Sequence, residues 1–171
     1  MEKVLVVVDM QNDFLTGSLA NSQACKIVPD IITLINSPEY EQVIFTQDTH
    51  DSDYLNTPEG KALPIPHCIK DTWGWEINEE LLKINKPCSK FSKRTFGSVF
   101  LANYISTIPG IKEVTFCGVC TDICVISNAL ILKAEAPDLI INVMSDCCAG
   151  TTPEKHKAAL AVMESCQINI L

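Results

Sequence analysis

The chain has 171 residues, 47% of them hydrophobic and 20% charged, with a formal net charge of −8 from 21 acidic against 13 basic residues. That is the length of a single domain, residues 1–171, able to bury a core without staples, and its negative balance argues against nucleic acid and membrane surfaces as partners. Nine cysteines, no secretory signal and no apolar run of about 18 residues point to free thiols in the reducing cytoplasm.

In chain order, Val4–Val8 is a short apolar, β-branched run that stops at Asp9. It has the length of a strand buried on both faces, and it lacks alternation. Ala24, Ile27, Val28, Ile31 and Ile35 then share one face of a helix that starts near Ser22 and ends at Asn36-Ser37-Pro38. A second strand, Gln42–Phe45, is followed by Asp48 and His50. The stretch from Thr49 to Trp75, with Pro58, Pro64 and Pro66, fits neither period and reads as a long ordered loop; loops of that length are usually functional. Lys90 and Lys93 precede Thr95-Phe96-Gly97-Ser98. Val114–Phe116 is a further strand, leading into Gly118-Val119-Cys120-Thr121-Asp122-Ile123-Cys124. Thr121 or Asp122 can cap a helix that runs through Asn128 and Leu132 to about Ala134, before Pro137. Leu139–Val143 is another strand, followed by Asp146, Cys147 and Cys148. Thr151-Thr152-Pro153-Glu154 is a strong helix start. Gln167–Leu171 closes the chain as a last short strand. Alternating strands and helices predict an α/β fold: three layers, α/β/α, around a doubly wound, mostly parallel sheet of about five or six strands.

In such a sheet, sites form just beyond the carboxyl ends of the strands. Asp9, the Asp48/His50 pair, a lysine and Cys124 would then share one edge. Cys124 falls in the first turn of a helix, where unpaired N–H groups and the helix dipole favour a thiolate, and a nearby ammonium would favour it further. A carboxylate beside it could carry the proton. The competing readings are a packed structural cysteine, a capping aspartate and a solvated lysine. A thiol redox or metal-binding module built on Cys117, Cys120 and Cys124, or on Cys147-Cys148, is a different class of function, but the spacings oppose it.

Three segments together resemble the isochorismatase-like cysteine hydrolase family, which includes the nicotinamidases: Val7-Val8-Asp9-Met10-Gln11-Asn12-Asp13-Phe14, Gly118-Val119-Cys120-Thr121-Asp122-Ile123-Cys124-Val125, and Pro66-His67-Cys68 followed by Thr72, Gly74 and Glu76. The resemblance runs from near residue 3 to Cys166. It implies a catalytic triad of Asp9, Lys93 and Cys124, with Lys93 preferred over Lys90 because it precedes Phe96 by three residues. It implies a cis peptide at Val119-Cys120, an oxyanion hole from the N–H groups of Cys120 and Cys124, and a substrate pocket walled by Phe14 and Phe96.

The same resemblance implies a divalent metal (zinc, manganese or iron) held by Asp48, His50, Asp53 and His67, and no organic cofactor. Where nicotinamidases often place a tryptophan before the Pro-His-Cys stretch, this chain has Leu63-Pro64-Ile65-Pro66. The implied activity is hydrolysis of a small-molecule amide through a cysteine thioester, nicotinamide to nicotinate plus ammonia first. Hydrolysis of another small amide or carbamoyl compound without a metal is the alternative. Self-association into a homo-oligomer is the family's habit.

Overall fold

The computed structural model describes residues 2–171. Its elements are β1 (Lys3–Val8), α1 (Asn12–Leu15), α2 (Ser22–Asn36), β2 (Gln42–Asp48), α3 (Pro58–Ala62), β3 (Cys88–Lys93), α4 (Val99–Ser106), β4 (Glu113–Val119), α5 (Ile126–Glu135), β5 (Ile140–Ala149), α6 (Pro153–Ser165) and β6 (Asn169–Ile170). The six strands form one sheet in the order β3-β2-β1-β4-β5-β6, and every neighbouring pair is parallel. Helices flank it, α2 on β4 and β5 and the pair α4–α5 packed together. This is the expected doubly wound α/β architecture.

β1 is apolar for a physical reason: Val4–Val8 are fully buried, so no face is left to be polar; β2 is buried throughout as well, with Val43, Ile44 and Phe45 as its apolar centre. α2 buries the predicted stripe of Ala24, Ile27, Ile31 and Ile35, and Asn21 caps it by accepting from the Gln23 N–H at 2.9 Å.

Several boundaries differ from expectation. β2 runs on through Thr46, Gln47 and Asp48, because those polar side chains are buried and paired rather than solvated. β3 and α4 were not legible; β3 is an edge strand whose residues are mostly half-exposed or exposed, so Cys88-Ser89-Lys90-Phe91-Ser92-Lys93 carries little apolar signal. Asp146, Cys147 and Cys148 lie inside β5, not beyond it, and so do not reach the site edge. The long segment from Thr49 to Trp75 contains α3 and two single helical turns, at Tyr54–Asn56 and Trp73–Trp75. The last strand is only Asn169–Ile170.

The chain leaves β1 to build outward through β2 and β3, then returns to the other side of β1 with β4. The strand order therefore reverses between β1 and β4, and the crevice beyond their carboxyl ends is the place where such sheets hold ligands. The two strands approach closely there. Gly118 has φ of 112°, and a Cβ on it would sit 2.2 Å from the Val8 carbonyl oxygen, so only glycine fits.

Candidate active site

Asp9 is the first residue past β1. Its backbone turns through the left-handed region (φ 48°), which aspartate tolerates better than most side chains. Thr46 on β2 fixes it twice: the hydroxyl accepts from the Asp9 N–H at 3.1 Å and donates to Oδ1 at 2.6 Å. Lys93, the last residue of β3, lies in register with Asp48 on β2 and points back across the sheet edge. Its Nζ is 2.6 Å from Asp9 Oδ2, 3.6 Å from Asp48 Oδ1 and 3.4 Å from Cys124 Sγ. Lys90 is exposed on the edge strand and lies outside this trio. Although Oδ2 of Asp9 is at ion-pair distance from the ammonium, it has no aligned hydrogen bond of its own. A buried acceptor left in that condition is costly, and it is available to receive a proton.

Cys124 sits in a π-helical turn, Thr121–Val125, that leads into α5. The peptide between Val119 and Cys120 is cis. The Cys120 carbonyl accepts from the Ile123 and Val125 N–H groups, which coils the turn tightly around the nucleophile candidate. Neither Thr121 nor Asp122 caps the helix with its side chain. Asp122 instead accepts from the Thr151 N–H at 2.8 Å and its hydroxyl at 2.6 Å, and the Thr121 hydroxyl meets His156 Nδ1 at 2.8 Å. Both contacts tie the turn to the start of α6, where Thr152 is the N-cap.

The electrostatics of the trio work against the pull of the helix start. Burial pushes the Cys124 thiol well above its ordinary value, and the Asp9 charge adds to the rise against the opposing pull of Lys93. That environment favours the thiol over the thiolate. Burial likewise raises the Asp9 carboxyl, with Lys93 opposing. Lys93 keeps its proton: burial works against the charge, but Asp9, Cys124 and Asp48 outweigh it.

Beside this trio lies a second cluster, Asp48, His50, Glu59 and His67, whose ligand atoms all fall within 4.8 Å of one another. His50 Nε2 is 3.1 Å from Asp48 Oδ2 and 3.6 Å from Glu59 Oε1; His67 Nε2 is 3.5 Å and 3.8 Å from the same two oxygens. His67 Nδ1 donates to the Ile65 carbonyl at 2.8 Å, which turns its other nitrogen's lone pair toward the cluster. Burial pushes the Asp48 carboxyl up, but the two histidines and Lys93 together hold it well below the usual carboxylate range. Two imidazole nitrogens and two carboxylates suit a divalent cation of the zinc, manganese or iron kind. Asp53 is not among these donors. It is an exposed residue before the Tyr54–Asn56 turn, and Glu59, in the first turn of α3, stands where it was expected. Sequence reasoning passed over Glu59 because nothing in its spacing marks it; only the coiling of residues 54–62 folds it back over His50.

Cys124 of the trio and Asp48, Glu59 and His67 of the second cluster face one cavity of about 470 Å³. Cys120, Cys124, Asp48, His67, Phe14 and Phe96 all line it, so the two aromatics and the nucleophile candidate share a wall. Leu63 lines it too, while Trp73 and Trp75 do not. Gln11 holds the floor in place, accepting from the Asp48 N–H at 2.8 Å and donating to the Asp48 and Trp75 carbonyls at 2.9 and 2.8 Å. Asn128, also missed in the sequence, donates to the Cys124 and Phe96 carbonyls at 2.7 and 3.1 Å.

Fold and site together define a doubly wound α/β hydrolase with a cysteine, a lysine and an aspartate at its topological switch point. Residues 3–171 match the isochorismatase domain, and the chain belongs to that family. It is 28% identical to a nicotinamidase of Schizosaccharomyces pombe, with 98% of this chain and 91% of that one covered. A solved pyrazinamidase of Pyrococcus horikoshii in complex with zinc superposes with a TM-score of 0.83 at 28% identity, covering 100% of this chain and 99% of the other. A nicotinamidase/pyrazinamidase of Bacillus subtilis gives 0.85 at 28%, with 99% of each chain covered.

Proposed function

We propose that residues 1–171 act as one cysteine hydrolase domain that converts nicotinamide to nicotinate and ammonia. The observation that carries the reading is the buried trio in which Lys93 Nζ lies 2.6 Å from Asp9 Oδ2 and 3.4 Å from Cys124 Sγ. The names of the relatives supply the substrate.

The proposed sequence keeps its protons in balance. Asp9 Oδ2 takes the proton from Cys124 as sulfur bonds to the amide carbon, and the carbonyl electrons move to oxygen. The Lys93 ammonium offsets the charge that leaves the thiol, and the N–H groups of Cys120 and Cys124 receive the oxyanion. When the C–N bond breaks, Asp9 returns the proton to nitrogen and ammonia departs. A water then gives a proton to Asp9 as its oxygen attacks the thioester; the C–S bond breaks and sulfur regains the proton. Phe14 and Phe96 hold the ring. Asp48, His50, Glu59 and His67 would hold the divalent cation, zinc being the ion in the Pyrococcus relative. Such an ion supplies a coordination point for a ring nitrogen, which orients the amide. Nine unbridged cysteines suit a reducing compartment such as the cytoplasm. Among the described residues no helix is long and apolar enough to cross a membrane. Val99 and Phe100, both exposed on α4, offer apolar surface for a second copy.

Leu63 on the cavity wall favours a second reading, hydrolysis of an aliphatic amide or carbamoyl compound. Ammonia release over a panel of small amides, with and without chelator, decides between them. Nicotinamide turnover that chelation abolishes supports the first reading. Turnover of another amide that ignores chelator supports the second. Ammonia release by Cys124→Ala at the native rate would sink both.

A further inference from the structure

A second cavity, of about 250 Å³, lies on the far side of the cluster formed by Asp48, His50, Glu59 and His67. His50 and Glu59 line it, while Asp48, Glu59 and His67 line the larger cavity that holds Cys124. The four donors are therefore a partition between two chambers, with Glu59 facing both. The back chamber is also lined by Asp51, Asp53, Thr57 and Arg94, and it contains neither Cys124 nor any aromatic wall.

We propose that this back chamber is the port through which the divalent cation enters and leaves, separate from the route taken by substrate. The inference rests on the metal reading of the cluster. Its size fits: at about 30 Å³ per water, 250 Å³ accommodates about eight waters, enough for a six-coordinate aqua ion. The charge also fits, since Asp51, Asp53 and Glu59 face a single cation, Arg94. That balance attracts a divalent ion to the mouth. At the mouth Arg94 pairs with Asp51, both side chains being exposed, so the gate is a weak surface ion pair that an arriving cation can displace. Asp53 thereby acquires a role other than ligation, as an exposed carboxylate at the entrance.

The second route has a consequence for turnover. A substrate filling the front cavity would stand over Asp48, Glu59 and His67 but leave His50 reachable from behind. The cation could then exchange in the presence of substrate.

The test is zinc uptake by chelator-stripped protein, followed by stopped flow with a zinc-responsive dye. Asp53→Lys and Arg94→Glu are compared with the native chain, each before and after alkylation with a bulky iodoacetamide at pH 9, carried to completion at Cys124 as read by peptide mass spectrometry, to plug the front cavity. The port predicts uptake slowed about tenfold by Asp53→Lys and accelerated by Arg94→Glu, within the range over which steering acts on association, with native zinc stoichiometry in both. It also predicts a rate that alkylation leaves within twofold. Uptake that alkylation stops, or that ignores both charge changes, overturns the port while leaving the metal site standing. Protein that takes up no zinc at all overturns the metal reading itself, and the port with it.

Discussion

The Lys93 ammonium sits 2.6 Å from Asp9 Oδ2 with both groups shut off from water. Neither charge would be tolerated alone in that place. A buried pair is weak as a source of net stability, yet breaking it from one side strands the survivor. Lys93→Met should therefore cost about 3–5 kcal/mol in denaturant unfolding. The double variant Asp9→Asn/Lys93→Met should recover a good part of that loss while remaining inactive. A double variant no more stable than Lys93→Met alone would refute the coupling.

Burial pushes the Cys124 thiol upward, whereas an exposed cysteine ionises near pH 8.5. A thiol whose value is raised loses its proton only at higher pH. Alkylation of Cys124 by iodoacetamide, located by peptide mass spectrometry, should thus keep climbing past pH 9 with no plateau there. Exposed Cys25, Cys88 and Cys166 provide the internal comparison. A plateau for Cys124 below pH 8 would restore the preformed thiolate that the helix start suggests.

How much of this was legible depends on what each residue's neighbours do. Val4–Val8 announces a central strand because every side chain in it is buried, and Asp9 stands out as the charge that ends the run. Cys88–Lys93 is silent because an edge strand keeps one side in water and needs few apolar residues. Asp9 and Cys124 could be singled out because one follows a strand and the other opens a helix at the switch point, whereas Lys93 was preferred over Lys90 only through the family resemblance, by its spacing from Phe96. Glu59, Thr46 and Asn128 could not, since their roles depend on contacts to His50, Asp9 and Phe96, across 9, 37 and 32 residues of chain, that no local pattern encodes.

Glu59 and Asp53 separate cleanly by experiment. Glu59 contributes an oxygen to the cluster and Asp53 does not. Glu59→Gln should weaken zinc binding at least as much as loss of an outer partner does, about 10–100-fold. Asp53→Asn should leave the equilibrium constant within about threefold, by isothermal titration. Equal losses in both variants would return Asp53 to the ligand set.

Gly118 is held at φ 112° with the Val8 carbonyl oxygen 2.2 Å from where a Cβ would be. Gly118→Ala combines backbone strain of about 1–3 kcal/mol with a collision against the backbone of a central strand. It should lower the unfolding midpoint by more than Gly17→Ala, whose nearest obstacle is the Asp13 side chain. Because the same contact sets the spacing of β1 and β4, activity should fall further than stability alone accounts for. A Gly118→Ala enzyme with native turnover at low temperature would separate the two effects and remove the strand spacing from the mechanism.

Thr46 offers the sharpest pH test. Its hydroxyl donates to Asp9 Oδ1 at 2.6 Å and so favours the ionised carboxylate, in a site where burial already pushes the carboxyl upward. Thr46→Val keeps the shape and removes both the donor to Oδ1 and the acceptor for the Asp9 N–H, and Thr46→Ser, which keeps both, is the control. A hydrogen bond to a charged group is worth about 1.5–3 kcal/mol, so the carboxyl should rise by about one to two pH units. The proposed base works only when ionised, and the acidic limb of the kcat/KM profile should move to higher pH by that amount. Activity at the top of the profile should be largely retained, because Oδ2, the oxygen that takes the proton, keeps its place beside Lys93. A variant whose limb does not move would mean that Asp9 does not set it.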